Sequence, residues 1–357
     1  MKIYIQAATA ISPQKTFGQV SFLSEPVEYV GNRLKTIEPD YKNYIDAKLL
    51  RRMSRIVKMG VATASQCLQD AGIQQPDAIV TGTAFGCLED TGVFATNIIE
   101  QKEEMLQPTA FIQSTHNTVG GQIALMLKCH NYNNTFVHRG FSFESALLDA
   151  TLLLREQEAT NVLVGSTDEI TEISHDVCTR LGLYKRTPIS NFQLLSSDTK
   201  GTMGGEGAAF FSLSSKYSDK AYAELTGTAT FYKPDSIEEI QKQILSFLSD
   251  RSVNPSDLDL IILGKNGNGK GDDIYNQLQQ SIFSNRDVAY FKHLSGEFET
   301  ATSFALWMAA KILQTQSVPA STGYKGTADK SIKKILIYNH SHNIHHSLML
   351  LSSVNPE

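Results

Sequence analysis

Apolar residues recur along this chain in two rhythms. Over residues 48–71 (K-L-L-R-R-M-S-R-I-V-K-M-G-V-A-T-A-S-Q-C-L-Q-D-A) they fall at helical spacing, and Gly72 stands where a left-handed cap closes a helix. Short apolar runs ending on a glycine turn alternate with such segments. They read A-I-V-T-G-T at 78–83, N-V-L-V-G-S at 161–166 and L-D-L-I-I-L-G at 258–264. Near the start, Ile3 and Ile5 alternate as in a strand. Buried strands, each preceded by a long amphipathic helix, predict parallel sheet covered by helices on both faces.

The pattern repeats itself. Helix, short acidic linker and strand occur as 50–72 then 77–82, and again as 237–250 then 257–264. The polar stretch S-L-S-S-K-Y-S-D-K at 212–220 is the one soft boundary between the repeats. The expected architecture is an α/β body of two duplicated halves, 1–215 and 216–357, fused into one. An ordinary doubly wound sheet is the simpler alternative.

Composition narrows the class. With 357 residues, 41% of them hydrophobic, the chain can bury a large core, and a formal charge of −5 argues against nucleic acid or an anionic membrane as obligatory partner. Four scattered cysteines, with no C-x-x-C pair, suggest reduced thiols in a cytoplasmic protein. The apolar N-terminal run is too short for a signal peptide, and no run approaches the roughly 18 residues a membrane span needs.

The segment T-F-V-H-R-G-F-S-F-E-S-A-L-L-D-A, 135–150, has the shape of a strand over 135–139, a tight turn at Gly140 and a helix with an apolar face at Ala146, Leu147 and Ala150. It resembles the nucleophile elbow of the β-ketoacyl-ACP synthases, the condensing enzymes of fatty-acid and polyketide synthesis. Further matches follow in the family's order. R-R-M-S-R-I-V-K-M-G-V-A-T-A-S-Q-C-L-Q-D-A-G-I is similar to the long N-terminal helix that ends in A-L-x-D-A-G. V-T-G-T-A-F-G-C-L-E is similar to V-G-T-G-x-G-G-L-E. Q-P-T-A-F-I-Q-S-T-H-N-T-V-G-G-Q-I-A is similar to S-P-x-F-V-P-x-x-x-x-N-x-x-A-G-x-I-A. G-T-M-G-G-E-G-A-A, with Glu206, Gly207 and Ala208, is similar to D-G-F-V-M-G-E-G-A. The resemblance covers essentially the whole chain and implies a thiolase-like fold, an αβαβα layering of two halves.

Departures from the family's chemistry carry the functional expectation. Decarboxylative condensation needs a thiolate to hold the acyl chain, donors for the enolate, and an oxyanion hole. The family supplies Cys, two His and a Lys. Gly140 occupies the cysteine's place and can carry no thioester. Where the family reads H-G-T-x-T-x-x-G-D, this chain reads L-G-K-N-G-N-G-K-G-D-D, which places Gly264, or with a two-residue deletion Asn266, at the first histidine. At K-x-x-x-G-H it reads K-H-L-S-G-E, keeping Lys292 and placing Glu297 at the second. An anionic Glu297 would repel a developing enolate unless burial kept it protonated. The glycine-dense C-terminal turn of the family is replaced by N-H-S-H-N-I-H-H-S at 339–347, and its backbone should change accordingly.

Other side chains carry chemistry of their own. Ser142 lies two residues past Gly140, where a serine caps or back-bonds a helix's first turn. His138 and Arg139 would plug the vacated site, bridge to a partner, or simply lie on the surface. His340 and His342 share a strand face and could be metal ligands, but polar filling of an abandoned site explains the cluster as well, and no metal is expected. The glycine-rich 265–273 lacks P-loop spacing and reads as a flexible loop. Cys87 reads as a structural thiol.

Relatives that lack the nucleophile are the chain-length factors of type II polyketide systems, which pair with an active synthase and shape its acyl tunnel. The resemblance therefore implies a heterodimer with an active ketosynthase subunit, or else a homodimer, served by an acyl carrier protein and needing no cofactor. The compact, His-rich form is similar to the ketosynthase-like proteins of aryl-polyene and flexirubin clusters. Substrate contacts are expected from Phe111 and Ile112 in 108–117 and from Phe136 and His138 in 134–138, the edge strand that pairs across the family's two-fold axis. The rival readings are an autonomous acyltransferase or thioesterase acting on acyl-ACP or acyl-CoA, and a non-catalytic acyl-binding homodimer.

Overall fold

Ten strands carry the fold in the computed structural model, which describes residues 1–18, 22–106, 108–327 and 330–354. Gln107, which opens the Q-P-T-A-F segment, lies outside them. The strands are β1 (Tyr4–Ile11), β2 (Ala78–Gly82), β3 (Tyr132–Phe136), β4 (Asn161–Asp168), β5 (Gly207–Ser214), β6 (Ala223–Tyr232), β7 (Leu260–Leu263), β8 (Val288–Tyr290), β9 (Lys334–Ser341) and β10 (His345–Ser352).

They form one continuous array in the order β8-β7-β9-β10-β6-β1-β5-β4-β2-β3. Read outward from the middle, each side runs first, fifth, fourth, second, third strand of its own set. The pairing senses match as well: second against third and fourth is parallel, and fifth against fourth and first is antiparallel. The two sets meet through β1 and β6, antiparallel at Tyr4↔Glu224 and Ile5↔Ala223. The sheet is therefore mixed rather than parallel. In the second set, β9 turns straight back into β10 within three residues, and so short a connection permits only an antiparallel neighbour.

Period-two alternation sorts the side chains into layers. Ile5, Ala8, Ala10, Phe211, Leu213, Ile262, Ile335, Ile337, Met349 and Leu351 face one shared core. That core is filled by two helices, Ser142–Arg155 and Thr302–Thr315. The second is buried on nearly every face, as a central-layer helix must be. The alternate residues Ala7, Ile11, Ile79, Leu163 and Phe210 pack under the helices Arg55–Ala71 and Thr118–Leu127. Ile261, Leu263, Leu336, Tyr338, Leu348 and Leu350 pack under Ile237–Ser249 and Gly269–Gln280. Five layers result, helix-strand-helix-strand-helix, as the family resemblance implies.

Several local expectations shift. The helix expected over 48–71 is broken: a turn at Ala47–Leu50 is capped by Asp46, and the long helix starts at Arg55 after an extended Ser54. Its end is as read, with Gly72 at φ 69° and its N–H bonded to Gln69 O. The polar boundary at 212–220 begins inside β5, whose last residues Ser212 and Ser214 are buried. The strand before the elbow ends at Phe136, three residues short of the expected end.

Candidate functional site

The elbow joins β3 to the central helix through a single 3₁₀ turn, Arg139–Phe141. Arg139 takes φ 47°, a left-handed conformation that a non-glycine residue adopts only at a cost of about 1 kcal/mol. Ser142 fastens the turn: its Oγ donates to Arg139 O at 2.8 Å and accepts from His138 N–H at 2.8 Å. Both hydroxyl functions are thus structural. Gly140 is buried at the head of the helix, and the hairpin β9–β10 closes over it. A Cβ built there would stand 2.9 Å from Ser341 Cβ, 3.1 Å from His345 Cβ and 3.2 Å from Glu299 Oε2. The space a side chain at 140 would use is taken by other side chains.

Those side chains are tied together. Ser341 Oγ donates to Glu299 Oε2 at 2.8 Å, and His342 Nε2 stands 4.0 Å from Oε1. The His345 ring packs edge-on against Phe141, centroids 4.7 Å apart. The turn of the hairpin keeps left-handed backbone without glycine, His342 at φ 54° and Asn343 at φ 55°. Asparagine tolerates that region well, and histidine more often than bulky residues do.

Beside this plug lies the second constellation. Lys292, 0% exposed at its side chain, donates from Nζ to both oxygens of Glu297 at 2.8 Å, and more weakly to His340 O at 3.4 Å. Glu297 also accepts from Asn266 Nδ2. Gly296 positions it, with φ 74° and so close an approach to Gly205 that neither glycine admits a Cβ. Of the two registers left open at the first histidine, Asn266 is the residue that reaches this group. Gly264 does not: a Cβ there would collide with Asn339 Oδ1 at 2.1 Å. The loop is held by Asp272, which accepts from Asn266 N–H at 2.8 Å and Gly267 N–H at 2.7 Å. The stretch expected as a flexible loop becomes helix from Gly269 onward.

The histidines disperse. His340 stacks on Tyr275, accepts from Asn343 N–H at Nδ1 and donates from Nε2 to Gly271 O at 3.0 Å, so both ring nitrogens are used. Burial, then the Lys292 ammonium, hold it well below the usual histidine range. His346 pairs through Nδ1 with Tyr338 OH at 2.9 Å, and burial pushes it down to about 4. His342 sits in the turn rather than on the strand face of His340. Among the described residues no His, Cys, Asp or Glu cluster has metal-site geometry. Cys87 is buried at the start of the helix Leu88–Glu100, and burial, then Asp90 and Glu169, push its thiol up to about 12.

Three acidic residues beneath the elbow had no local signal in the sequence. Glu144 is buried, and desolvation raises its carboxyl to about 7 against the lowering effect of the nearby Thr302 and Ser347 hydroxyls. Asp168 accepts from Thr83, Ala84 N–H and Thr300, and burial still lifts it to about 6. Glu299, two residues beyond Glu297, is the third.

Of the expected substrate contacts, Phe111 and Ile112 project from the short helix Pro108–Gln113, 56% and 63% exposed. The ring of Phe111 lies against Phe94, centroids 5.3 Å apart. Phe136 is half-buried against the central core, and His138 is exposed at the elbow.

Residues 33–201 match the family described as beta-ketoacyl synthase, N-terminal domain. In three dimensions the chain superposes over 99% of its length on the ishigamide ketosynthase/chain length factor, at TM-score 0.83 and 16% identity, covering 99% of that chain. The chain carries the ketosynthase fold. A beta-ketoacyl synthase from Burkholderia phymatum STM815 is similar at TM-score 0.79 and 13% identity, with 99% of this chain and 100% of that one covered. The ketosynthase ApeO in complex with its chain length factor ApeC, from Xenorhabdus doucetiae, gives 0.78 and 15%, with 99% and 98% covered. No curated protein matches the sequence. On this scaffold the buried Gly140 has no room for a side chain, and the Lys292 ammonium is paired with the Glu297 carboxylate.

Proposed function

We propose that the protein is a non-condensing partner subunit of the chain-length-factor type, pairing with an active ketosynthase and shaping its acyl tunnel while the partner's acyl chain is extended from a carrier protein. The observation that carries this reading is the filled space at Gly140. Ser341, His345 and Glu299 occupy it, and the retained scaffold therefore presents no room for a thioester. Lys292 supports it too, because its charge is committed to Glu297 and little positive potential remains for a carbanion.

The pairing surface we assign is the outer edge of β3, the end of the array, with exposed Tyr132 and Val137 and the half-buried Phe136. An open edge of this kind invites strand addition. The exposed apolar Phe111 and Ile112 would border the tunnel. Two halves, 1–215 and 216–357, form one body in this reading, supported by the repeated strand order. It acts in the cytoplasm; among the described residues no helix is long and apolar enough to cross a membrane. The pathway we favour is of the aryl-polyene or flexirubin type.

Co-expression with a synthase bearing the intact Cys-His-His set tests the reading. The expected result is a 1:1 complex on size exclusion, and polyene product only when both are present. Val137→Asp, at a position 46% exposed, should split the complex without unfolding the chain. Product of normal length from the synthase alone would refute it.

A further inference from the structure

Trp307, Lys311 and Thr315 follow one another at four-residue spacing on the helix Thr302–Thr315, and so share one face of it. Gln66 and Asp70, again four residues apart, share a face of the helix Arg55–Ala71. These two faces, with Thr9 of β1, line a cavity of about 90 Å³ to which Gly140, Lys292 and the β9–β10 hairpin contribute nothing. That volume holds about three waters, at roughly 30 Å³ each, or one molecule of about five heavy atoms.

The polar groups around it are unequally satisfied. Trp307 is 2% exposed, its ring packed on Phe22 and Phe304 with centroids 5.5 and 5.3 Å away, and its Nε1–H meets no acceptor. A buried donor left in that state costs free energy that an incoming acceptor recovers. Lys311 spends one hydrogen on Gln314 Oε1 at 3.0 Å and holds its ammonium 4.5 Å from the centroid of the Tyr222 ring. Gln314 and Tyr222 line a neighbouring cleft, which leaves the remaining hydrogen of Lys311 for the cavity it lines itself. Among the described residues no carboxylate stands within ion-pair distance of that ammonium. Burial holds Lys311 below the usual lysine range, against the opposing field of Asp70. Asp70 is exposed; one of its oxygens accepts from Gln66 Nε2 at 2.7 Å and the other from Thr9 Oγ1 at 3.3 Å, so each keeps a lone pair. Lys15, the remaining charged group of the lining, is paired with Glu25 at 3.3 Å.

We infer that this cavity binds a small acid bearing a hydrogen-bond donor on its α-carbon, an α-amino or α-hydroxy acid, with its carboxylate on the Trp307 and Lys311 donors and its α-donor on Asp70. Donors on one helix and a carboxylate on the other select a ligand with an acceptor at one end and a donor at the other. The volume restricts it to an acid of two or three carbons. The site is separate from the plugged elbow and needs neither pairing with a synthase nor the function proposed above.

Calorimetric titration of the full chain with glycine, glycolate, acetate and glycinamide is the test. Glycine or glycolate should bind saturably, and the tighter of the two identifies the α-group. Acetate lacks the α-donor and glycinamide lacks the carboxylate, so each should bind weaker by roughly tenfold or more. Trp307→Phe keeps the ring and removes only the N–H, and should weaken the preferred acid about fivefold. Asp70→Ala, at an exposed position, should weaken it by a similar factor and supplies the readout should Trp307→Phe unfold. The inference is overturned if neither acid binds at tens of millimolar, which leaves the cavity to water alone. It is overturned equally if acetate and glycinamide bind as tightly as the preferred acid, or if the folded variants bind like the parent.

Discussion

A cysteine at Gly140, where the sequence resemblance expects the family's nucleophile, should damage this protein rather than repair it. In Gly140→Cys the new Cβ meets Ser341 Cβ at 2.9 Å and His345 Cβ at 3.1 Å, both well inside carbon–carbon contact, and the sulfur must reach further. Neither neighbour yields easily, because Ser341 and His345 are register partners at the closed end of the β9–β10 hairpin. Overpacking of this kind costs about 1–3 kcal/mol. Gly140→Ala should cost nearly the same, since the clash begins at Cβ, and Ser341→Gly should recover part of it in the double variant, giving a measurable coupling energy. Urea or thermal unfolding reads all three.

The chemistry should fail as well. The new Cβ would stand 3.2 Å from Glu299 Oε2, and a carboxylate so near disfavours the thiolate even at a helix N-terminus. Lys292, which the proposed reading takes as the retained donor, is already paired to Glu297. Losing a covalent nucleophile costs on the order of a millionfold in rate, and restoring it alone recovers little when its partners are gone. Intact-mass analysis after incubation with acyl-ACP and malonyl-ACP should show no stoichiometric adduct, in the parent or the variant. An unshifted midpoint together with turnover near that of an intact synthase would refute both the steric and the electrostatic argument.

Glu297→Ala leaves the Lys292 ammonium buried and unpaired, and should cost about 3–5 kcal/mol in urea unfolding, most of it recovered by Lys292→Met on the same background. Glu144→Gln tests the buried carboxyl. Its folded value of about 7, above the ordinary 4.5, means the native state holds a proton the unfolded chain releases, so its stabilisation is complete below about pH 4.5 and lost as pH rises through 7. The stability of Glu144→Gln relative to the parent should therefore rise between pH 5 and pH 8, approaching roughly 3 kcal/mol; a flat difference would sink the assignment. Phe136→Asp should destabilise the isolated chain as well as any dimer, because Phe136 packs on the central core; unchanged melting would mean that packing is absent.

What the sequence made legible was local or periodic. Gly72 ends its helix because a left-handed cap is written in one residue, and the apolar runs at 78–83, 161–166 and 258–264 became β2, β4 and β7 because period and length mark a buried strand. Order of motifs along the chain gave the ketosynthase fold. The antiparallel fifth strands were not legible, because strand direction is fixed by connections and partners far away in sequence. The register at the first histidine could not be chosen either. Gly264 and Asn266 are both polar-loop positions by pattern, and only the approach of Glu297, thirty-one residues on, separates them. Glu299 and Ser341 likewise gain meaning only from each other.

The same non-local contacts explain why the departures come as a set. Gly140 cannot carry a side chain while Ser341 and His345 stand over it, and Ser341 is held there by Glu299. Glu297 is stable at its half-buried position because Lys292 and Asn266 both bond it, and Lys292 in turn would be an isolated buried charge without Glu297. Any single reversion therefore breaks a contact before it makes one: a cysteine meets the plug, a histidine at 297 strands the lysine. Each such substitution is uphill alone, so under the proposed function the arrangement is a coherent packing of its own and not a site missing one part. On the function proposed above, that packing keeps the scaffold's shape for a neighbour, which is what a tunnel-shaping partner subunit requires.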